Sequence, residues 1–97
     1  MMVRVIIEED GNLYPMGVDE ETLELVPVNK ATLFFSKGEA ERFVLQNERK
    51  VNNYRQKIAE IDSEDSRKMV KSFILEQIKG SLIGALFNGA KISYLCG

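Results

Sequence analysis

Hydrophobic and polar residues alternate near the amino terminus, where Val3, Val5 and Ile7 would share one face of a strand. The stretch Asp10–Gly11–Asn12 that follows tolerates positive φ and therefore predicts a tight hairpin. Turn-rich sequence then separates three further short apolar segments, which are residues 13–16, 23–26 and 31–35. This pattern predicts an antiparallel β-meander of about four short strands at the amino terminus.

The hydrophobic period changes at Ser36, which begins a Ser-x-x-Glu capping box that ends at Glu39. The apolar residues after it recur mainly at spacings of three or four, which predicts an amphipathic helix of about seven turns. Asn47 interrupts its apolar stripe. A polar residue there either fixes the register of paired helices or contacts a loop or water at the edge of the core. The stripe consists of Ala40, Phe43, Val44, Val51, Tyr54, Ile58 and Ile61.

Asp62 and Ser63 suit a helix N-cap and Asn88–Gly89 suits a helix end, so one second helix is predicted from about Glu64 to Phe87. Its first half has an apolar stripe, and its second half is apolar on almost every side and must be buried all round. We expect this end to lie under the sheet or, preferably, against a second copy of the chain. The stripe contains Met69, Val70, Phe73, Ile74 and Ile78, and the expected oligomer interface contains Asn47, Ile78, Leu82, Ile83, Leu86 and Phe87.

Residues 90–96 predict a final strand that either rejoins the amino-terminal sheet or pairs with a neighbouring chain. The order of elements predicts one α+β domain over residues 1–97. It comprises a strand-rich part (1–35), a hairpin of two long antiparallel helices (36–88) and the final strand (90–96). Gly80 and Gly84, four residues apart in the second helix, would permit close approach of another helix.

The composition is that of a small folded protein, with 97 residues of which 44% are hydrophobic and 29% charged. It excludes fibrous, disulfide-framework and long disordered classes. No apolar run reaches the roughly 20 residues that cross a bilayer, so no membrane association is expected. The single cysteine, Cys96, suits a reducing compartment and predicts a cytoplasmic protein.

The chain contains no histidine, which removes the commonest general base and the commonest metal ligand. The usual glycine-rich phosphate loops are missing, and one cysteine cannot supply a zinc ligand set. The carboxylate clusters at residues 19–21 and 62–65 fall at expected turns, where solvated side chains are the better interpretation. We therefore expect a non-catalytic protein with no catalytic residue, no metal and no cofactor.

Charge is unevenly distributed, because residues 1–48 carry a net charge of −6 and residues 49–97 a net charge of +4. If the two long helices are antiparallel, their basic residues converge into a positive patch that suits a phosphate or carboxylate. The alternative is a solvated helix face. A duplex nucleic-acid partner is not expected, since it usually needs a stronger basic balance. The candidate binding residues are Arg49, Lys50, Tyr54, Arg55, Lys57, Arg67 and Lys71.

Two functional hypotheses follow from these observations. The first is a small interaction or regulatory protein that acts as a homo-oligomer on a protein partner. The second is a protein that binds or sequesters a small anionic, nucleotide-like ligand at a junction between subunits. The missing catalytic groups and the apolar end of the second helix favour the first hypothesis, and the basic residues support the second.

Overall fold

Strand β1 (Val3–Glu8) is the centre of the fold in the computed structural model, which describes all residues, 1–97. Val3, Val5 and Ile7 are buried, as the alternating pattern predicts, and Ile6 on the other face is buried as well. Single backbone bridges tie the outer edge of β1 to Phe34 and Met16. The strand is thus covered on both edges and forms the middle of the sheet.

The carboxyl-terminal strand β4 (Lys91–Cys96) pairs antiparallel with β1 along its whole length, from Val3 opposite Cys96 to Glu8 opposite Lys91. The final strand therefore rejoins the amino-terminal sheet, the first of the two arrangements that the sequence left open. This pairing joins the two ends of the chain and closes the fold around the helices between them.

The four-strand meander is wrong in its details. Strands β2 (Gly17–Val18) and β3 (Leu25–Val26) form a separate small antiparallel sheet of two residues each. Segments 13–16 and 31–35 contribute only the bridges at Met16 and Phe34, and residues 28–30 form a 3₁₀ turn. Proline at positions 15 and 27 cannot donate to a strand ladder, which limits how far either sheet can extend.

Helix α1 (Lys37–Ala59) begins where the capping signal predicts. The Ser36 hydroxyl accepts a hydrogen bond from the Glu39 backbone N–H at 3.2 Å, which satisfies one of the first amide groups of the helix. Its first four turns bury Ala40, Phe43, Val44, Asn47 and Val51 against the rest of the fold. The last two turns, from Asn52 onward, bury no residue.

The second long helix is not continuous. Helix α2 (Glu64–Gln77) ends at Ile78, and a separate short helix, α3 (Leu82–Phe87), follows a turn at Lys79–Ser81. In this turn the Leu25 N–H donates to the Gly80 carbonyl and the Leu82 N–H donates to the Leu23 carbonyl. Gly80 adopts φ of +76°, which other residues rarely adopt. The break thus arises from pairing with the β2–β3 hairpin.

The apolar core is one cluster built from β1, β2, Phe34, α1 and α3. Helix α2 contributes no buried residue. It folds back along the end of α1 and forms with it a helical arm, defined here as residues 52–77. The molecule is correspondingly elongated, with principal extents of 49 × 26 × 20 Å.

Candidate functional site

The outer face of helix α2 exposes large apolar side chains. Met69 is 75% exposed, Phe73 is 67% exposed, and Val70 is also exposed. Met69 and Phe73 are each two residues from Lys71 and so lie about 160° around the helix from it. We call Met69, Val70 and Phe73 the apolar stripe of α2. The sequence predicts the stripe correctly but not its exposure, since an apolar face of a helix normally faces a core.

An open cleft of about 430 Å³ lies on the opposite side of α2, between that helix and the end of α1. Three cationic residues line it: Arg55 from α1, and Arg67 and Lys71 from α2. Its remaining lining residues are the apolar Ile58, Ala59 and Phe87, and it has no carboxylate. We call this feature the basic cleft. Its volume falls within the range of about 300–1,000 Å³ that small-molecule sites occupy.

Arg55 is held in place by the end of helix α3. Its Nη2 donates hydrogen bonds to the carbonyl oxygens of Phe87 at 3.0 Å and Leu86 at 3.4 Å. Its guanidinium also lies over the Phe87 ring, 5.4 Å from the ring centroid. These carbonyls lie at the negative end of a helix, so a cation is favourable there, and the Leu86 carbonyl also accepts the Gly89 N–H at 3.1 Å. Because Nη2 makes both bonds, the N–H groups on the other two nitrogens of the Arg55 guanidinium remain available to a ligand.

The cations of the basic cleft have no acidic partner. The chain contains one ion pair within 4 Å, which joins Lys68 to Glu64 one turn away at 3.5 Å. Arg55, Arg67 and Lys71 form no ion pair within 4 Å and share one concave surface. Three neighbouring cations without counter-charges raise the local potential and attract anions.

The structure brings together only part of the expected binding set. Arg55, Arg67 and Lys71 meet in the basic cleft, as an antiparallel pair of helices requires. Lys57 and Lys50 lie about 160° and 140° around α1 from Arg55, on its far side. Arg49 is likewise separated from Arg55, by about 120°. Tyr54 is half-buried against the apolar core and does not line the cleft.

The residues expected at an oligomer interface lie inside the fold. Leu82, Ile83 and Leu86 are buried within a single chain, and Ile78 and Phe87 are half-buried against the same core. The sheet and α1 thus cover the apolar end of the second helix. This corrects the placement of the interface, while self-association itself stays a prediction. Gly84 serves the same fold, since a Cβ there would collide with the Ile78 carbonyl oxygen.

Asn47 is also internal, at 3% exposure. Its side-chain Nδ2 donates to the Phe43 carbonyl at 2.8 Å, and its Oδ1 is buried without a hydrogen-bond partner. The helix stripe that this residue interrupts therefore packs against the chain's own core. Burial within a single chain favours a core position for Asn47 over a seam between paired helices, and a contact with water there stays a prediction.

Tyr94, on strand β4, lies beside residues of helix α1. Partial burial raises the pKa of its phenol above the ordinary value, and the carboxylates of Glu41 and Glu48 raise it further. The Lys37 ammonium lies 5.8 Å from the centroid of the same ring. Tyr94 does not line the basic cleft.

Comparisons with known proteins found no homologue of the chain. The chain matches no protein-family model, no curated protein and no solved structure. No group of three or more cysteine, aspartate or glutamate side chains is arranged to hold a metal ion. None of the three helices combines the length and hydropathy that crossing a bilayer requires.

Two features of the candidate site were not predicted from the sequence. Phe87, expected at an oligomer interface, instead lines the basic cleft with Ile58 and receives the Arg55 guanidinium. The exposure of Met69 and Phe73 depends on where α2 ends and turns. The left-handed Gly80 and the Ser81 N-cap of α3 mark that point locally, and backbone pairing of residues 23–25 with residues 80–82 holds it.

Proposed function

We propose that this chain is a small, non-catalytic interaction protein that self-associates through the apolar stripe of α2 and acts on a protein partner. The observation that carries the proposal is that α2 buries no residue yet exposes Met69 and Phe73. Contiguous apolar side chains on an exposed helix face are typical of protein–protein contacts. We place the protein in the cytoplasm, in keeping with its single free cysteine, Cys96.

The proposed occupant of the stripe is a second copy of the chain. The face that carries Met69, Val70 and Phe73 is flanked by the charged Glu76, which lies about 20° around the helix from Met69. An antiparallel pair of α2 helices related by a two-fold axis sets Met69 of one copy beside Phe73 of the other. Such an isologous contact closes on itself and leaves no free apolar stripe.

A dimer of this kind leaves the acidic half of each copy accessible to a partner. Residues 1–48 carry a net charge of −6. Most of their carboxylates, including Glu8, Glu20 and Glu24, are exposed. A partner protein with a basic surface would be complementary to this half, and complementary charge mainly sets specificity and association rate.

Sedimentation equilibrium over a range of protein concentrations tests self-association. We expect a reversible dimer in the wild type, and at least about tenfold weaker association for Phe73→Glu, because the new carboxylate would be desolvated in the contact. Since Phe73 is exposed, this variant should retain the wild-type circular dichroism and urea midpoint. Leu13→Glu is the matched control, because Leu13 is 90% exposed and belongs to the β1–β2 connection.

Two outcomes would contradict this proposal. A wild type that stays monomeric at every concentration would remove the second copy as the occupant of the stripe. A dimer that Leu13→Glu weakens as much as Phe73→Glu would place the contact elsewhere.

A second candidate function, binding of a small anionic ligand, is favoured by the basic cleft. Arg55, Arg67 and Lys71 converge there without carboxylate partners. The cleft lies within one chain, so the site does not need the subunit junction that the sequence suggested. Melting temperature measured with and without anions tests this function, since any ligand of the native state raises it.

A further inference from the structure

The three cations of the basic cleft carry more positive charge than a single carboxylate would neutralise. Arg55, Arg67 and Lys71 line one surface, and no acidic residue lies among them. A carboxylate carries one negative charge, whereas a phosphate monoester carries about 1.5 to 2 near neutral pH and offers three acceptor oxygens. The charge and donor count of the cleft therefore favour a phosphate group.

The arginines also have the geometry that phosphate recognition uses. A guanidinium presents its N–H groups in a planar fork that matches two phosphate oxygens at once. Arg55 is pre-positioned, because Phe87 and Leu86 carbonyls hold its Nη2. A ligand that meets a fixed arginine loses less conformational entropy on binding than one that must order it.

The cleft is larger than a bare phosphate ion and one of its walls is apolar. Ile58, Ala59 and Phe87 provide that wall. Phe87 is half-buried and already carries the Arg55 guanidinium over its ring. An aromatic or aliphatic group attached to the phosphate would cover this wall and gain the free energy of burying apolar surface.

We propose that the basic cleft binds a small-molecule phosphate monoester. Its phosphate group contacts Arg55, Arg67 and Lys71, and its apolar portion packs on Ile58 and Phe87. This inference rests on the second candidate function, anion binding, and names the class of ligand.

Binding would also stabilise the packing of α2 against the end of α1. Arg55 belongs to α1, whereas Arg67 and Lys71 belong to α2, which buries no residue of its own. One dianion between the two helices replaces repulsion among like charges with attraction to a shared partner. The ligand is therefore expected to protect the amides of α2 from hydrogen exchange as well as to raise the melting temperature.

Phenyl phosphate is the simplest probe, because it joins a phosphate monoester to one aromatic ring. We would titrate it into ¹⁵N-labelled protein at constant ionic strength and follow amide shifts by NMR. Inorganic phosphate, benzoate and phenol serve as parallel probes. We expect saturable shifts at Arg67, Lys71 and Phe87 with phenyl phosphate, weaker binding of inorganic phosphate and benzoate, and no saturation with phenol.

Variants then locate the site. Arg67→Gln and Lys71→Gln are each expected to weaken phenyl phosphate binding by about tenfold, since each removes a charged contact to the phosphate. Lys57→Gln is the matched control, because it removes a cation from the far side of α1 and should leave the affinity unchanged. All three residues are accessible to solvent, so unchanged circular dichroism confirms that each variant folds.

The outcomes separate the two levels of the proposal. If no anion gives saturable shifts at Arg67, Lys71 or Phe87, anion binding itself fails and the ligand class falls with it. If benzoate binds as tightly as phenyl phosphate, anion binding stands and phosphate selectivity is overturned. If Lys57→Gln weakens binding as much as Arg67→Gln, the attraction is a general effect of charge and the cleft is not the site.

Discussion

Helices α2 and α3 come from one stretch of apolar-rich sequence and differ completely in burial. Five of the six residues of α3 are buried, and Leu82 is fully so. None of the fourteen residues of α2 is buried, although the helix carries Met69, Val70 and Phe73. The same kind of side chain thus supports the core in one helix and forms a surface in the other.

An apolar pattern is thus necessary for the burial of a helix face but does not guarantee it. Helix α3 lies where β1, the β2–β3 hairpin and α1 supply apolar neighbours. Helix α2 instead packs along the end of α1, whose last two turns bury nothing. No other part of residues 1–97 covers its outer face, where Met69 and Phe73 are exposed.

Truncation of one buried leucine in α3 should give the largest loss of stability. Leu82→Ala removes a fully buried side chain and is expected to lower the free energy of unfolding by about 2–5 kcal/mol. Met69→Ala, in the exposed stripe, is the matched variant and should change it by no more than about 0.5 kcal/mol at concentrations where the chain is monomeric. Urea denaturation followed by circular dichroism measures both. Equal losses for the two variants would mean that α2 is packed as tightly as α3.

The junction between the two helices offers a test of intermediate size. Gly84→Ala places a Cβ against the Ile78 carbonyl oxygen, and relieving that clash is expected to cost about 1–3 kcal/mol of stability. Gly38→Ala, near the start of α1, is the control, because the nearest atom to its Cβ would be the Ser36 Oγ at an ordinary 3.8 Å. If Gly84→Ala is as harmless as Gly38→Ala, the tight turn from α2 into α3 does not limit stability.

The dependence of stability on pH should give the smallest effect, and it should come from Tyr94 on strand β4. Burial, Glu41 and Glu48 raise the folded-state pKa of Tyr94. The unfolded chain therefore loses this proton first, and the related stability is fully present below pH of about 10 and is lost as pH rises through the folded-state pKa. Urea midpoints on either side of that pH measure the loss.

Tyr94→Phe should reduce the alkaline loss of stability, whereas Tyr14→Phe should leave it unchanged, because Tyr14 is exposed. Each variant removes one phenol and keeps every other titratable group, so their difference isolates Tyr94. An identical alkaline response in the two variants would show that Tyr94 does not contribute to it.

Local signals in the chain predict the beginnings of the elements well. The alternation at Val3–Ile7 predicts β1, and Ser36 and Ser63 each accept the capping hydrogen bond at the start of a long helix. These features depend on residues within a few positions of one another. Strand partners do not, and the meander failed because β1 pairs with β4, about ninety residues away.

The candidate site was predictable in the same partial way. Charge and helical order predict Arg55 near Arg67 and Lys71, and all three line the basic cleft. Arg49, Lys50 and Lys57 lie on other sides of α1, and their role in binding stays a prediction. The apolar wall of the cleft was missed, since Phe87 reaches it only through the break between α2 and α3.

Residue type and short-range spacing were enough to predict the starts of β1, α1 and α2 and the α+β class. They also offer Gly80 and Ser81 as a local mark of the break between α2 and α3. Only tertiary packing made Leu82 and Leu86 internal. It also left Met69 and Phe73 exposed. The reason is physical: burial depends on which distant surfaces meet, and backbone pairing between residues 23–25 and 80–82 sets that meeting.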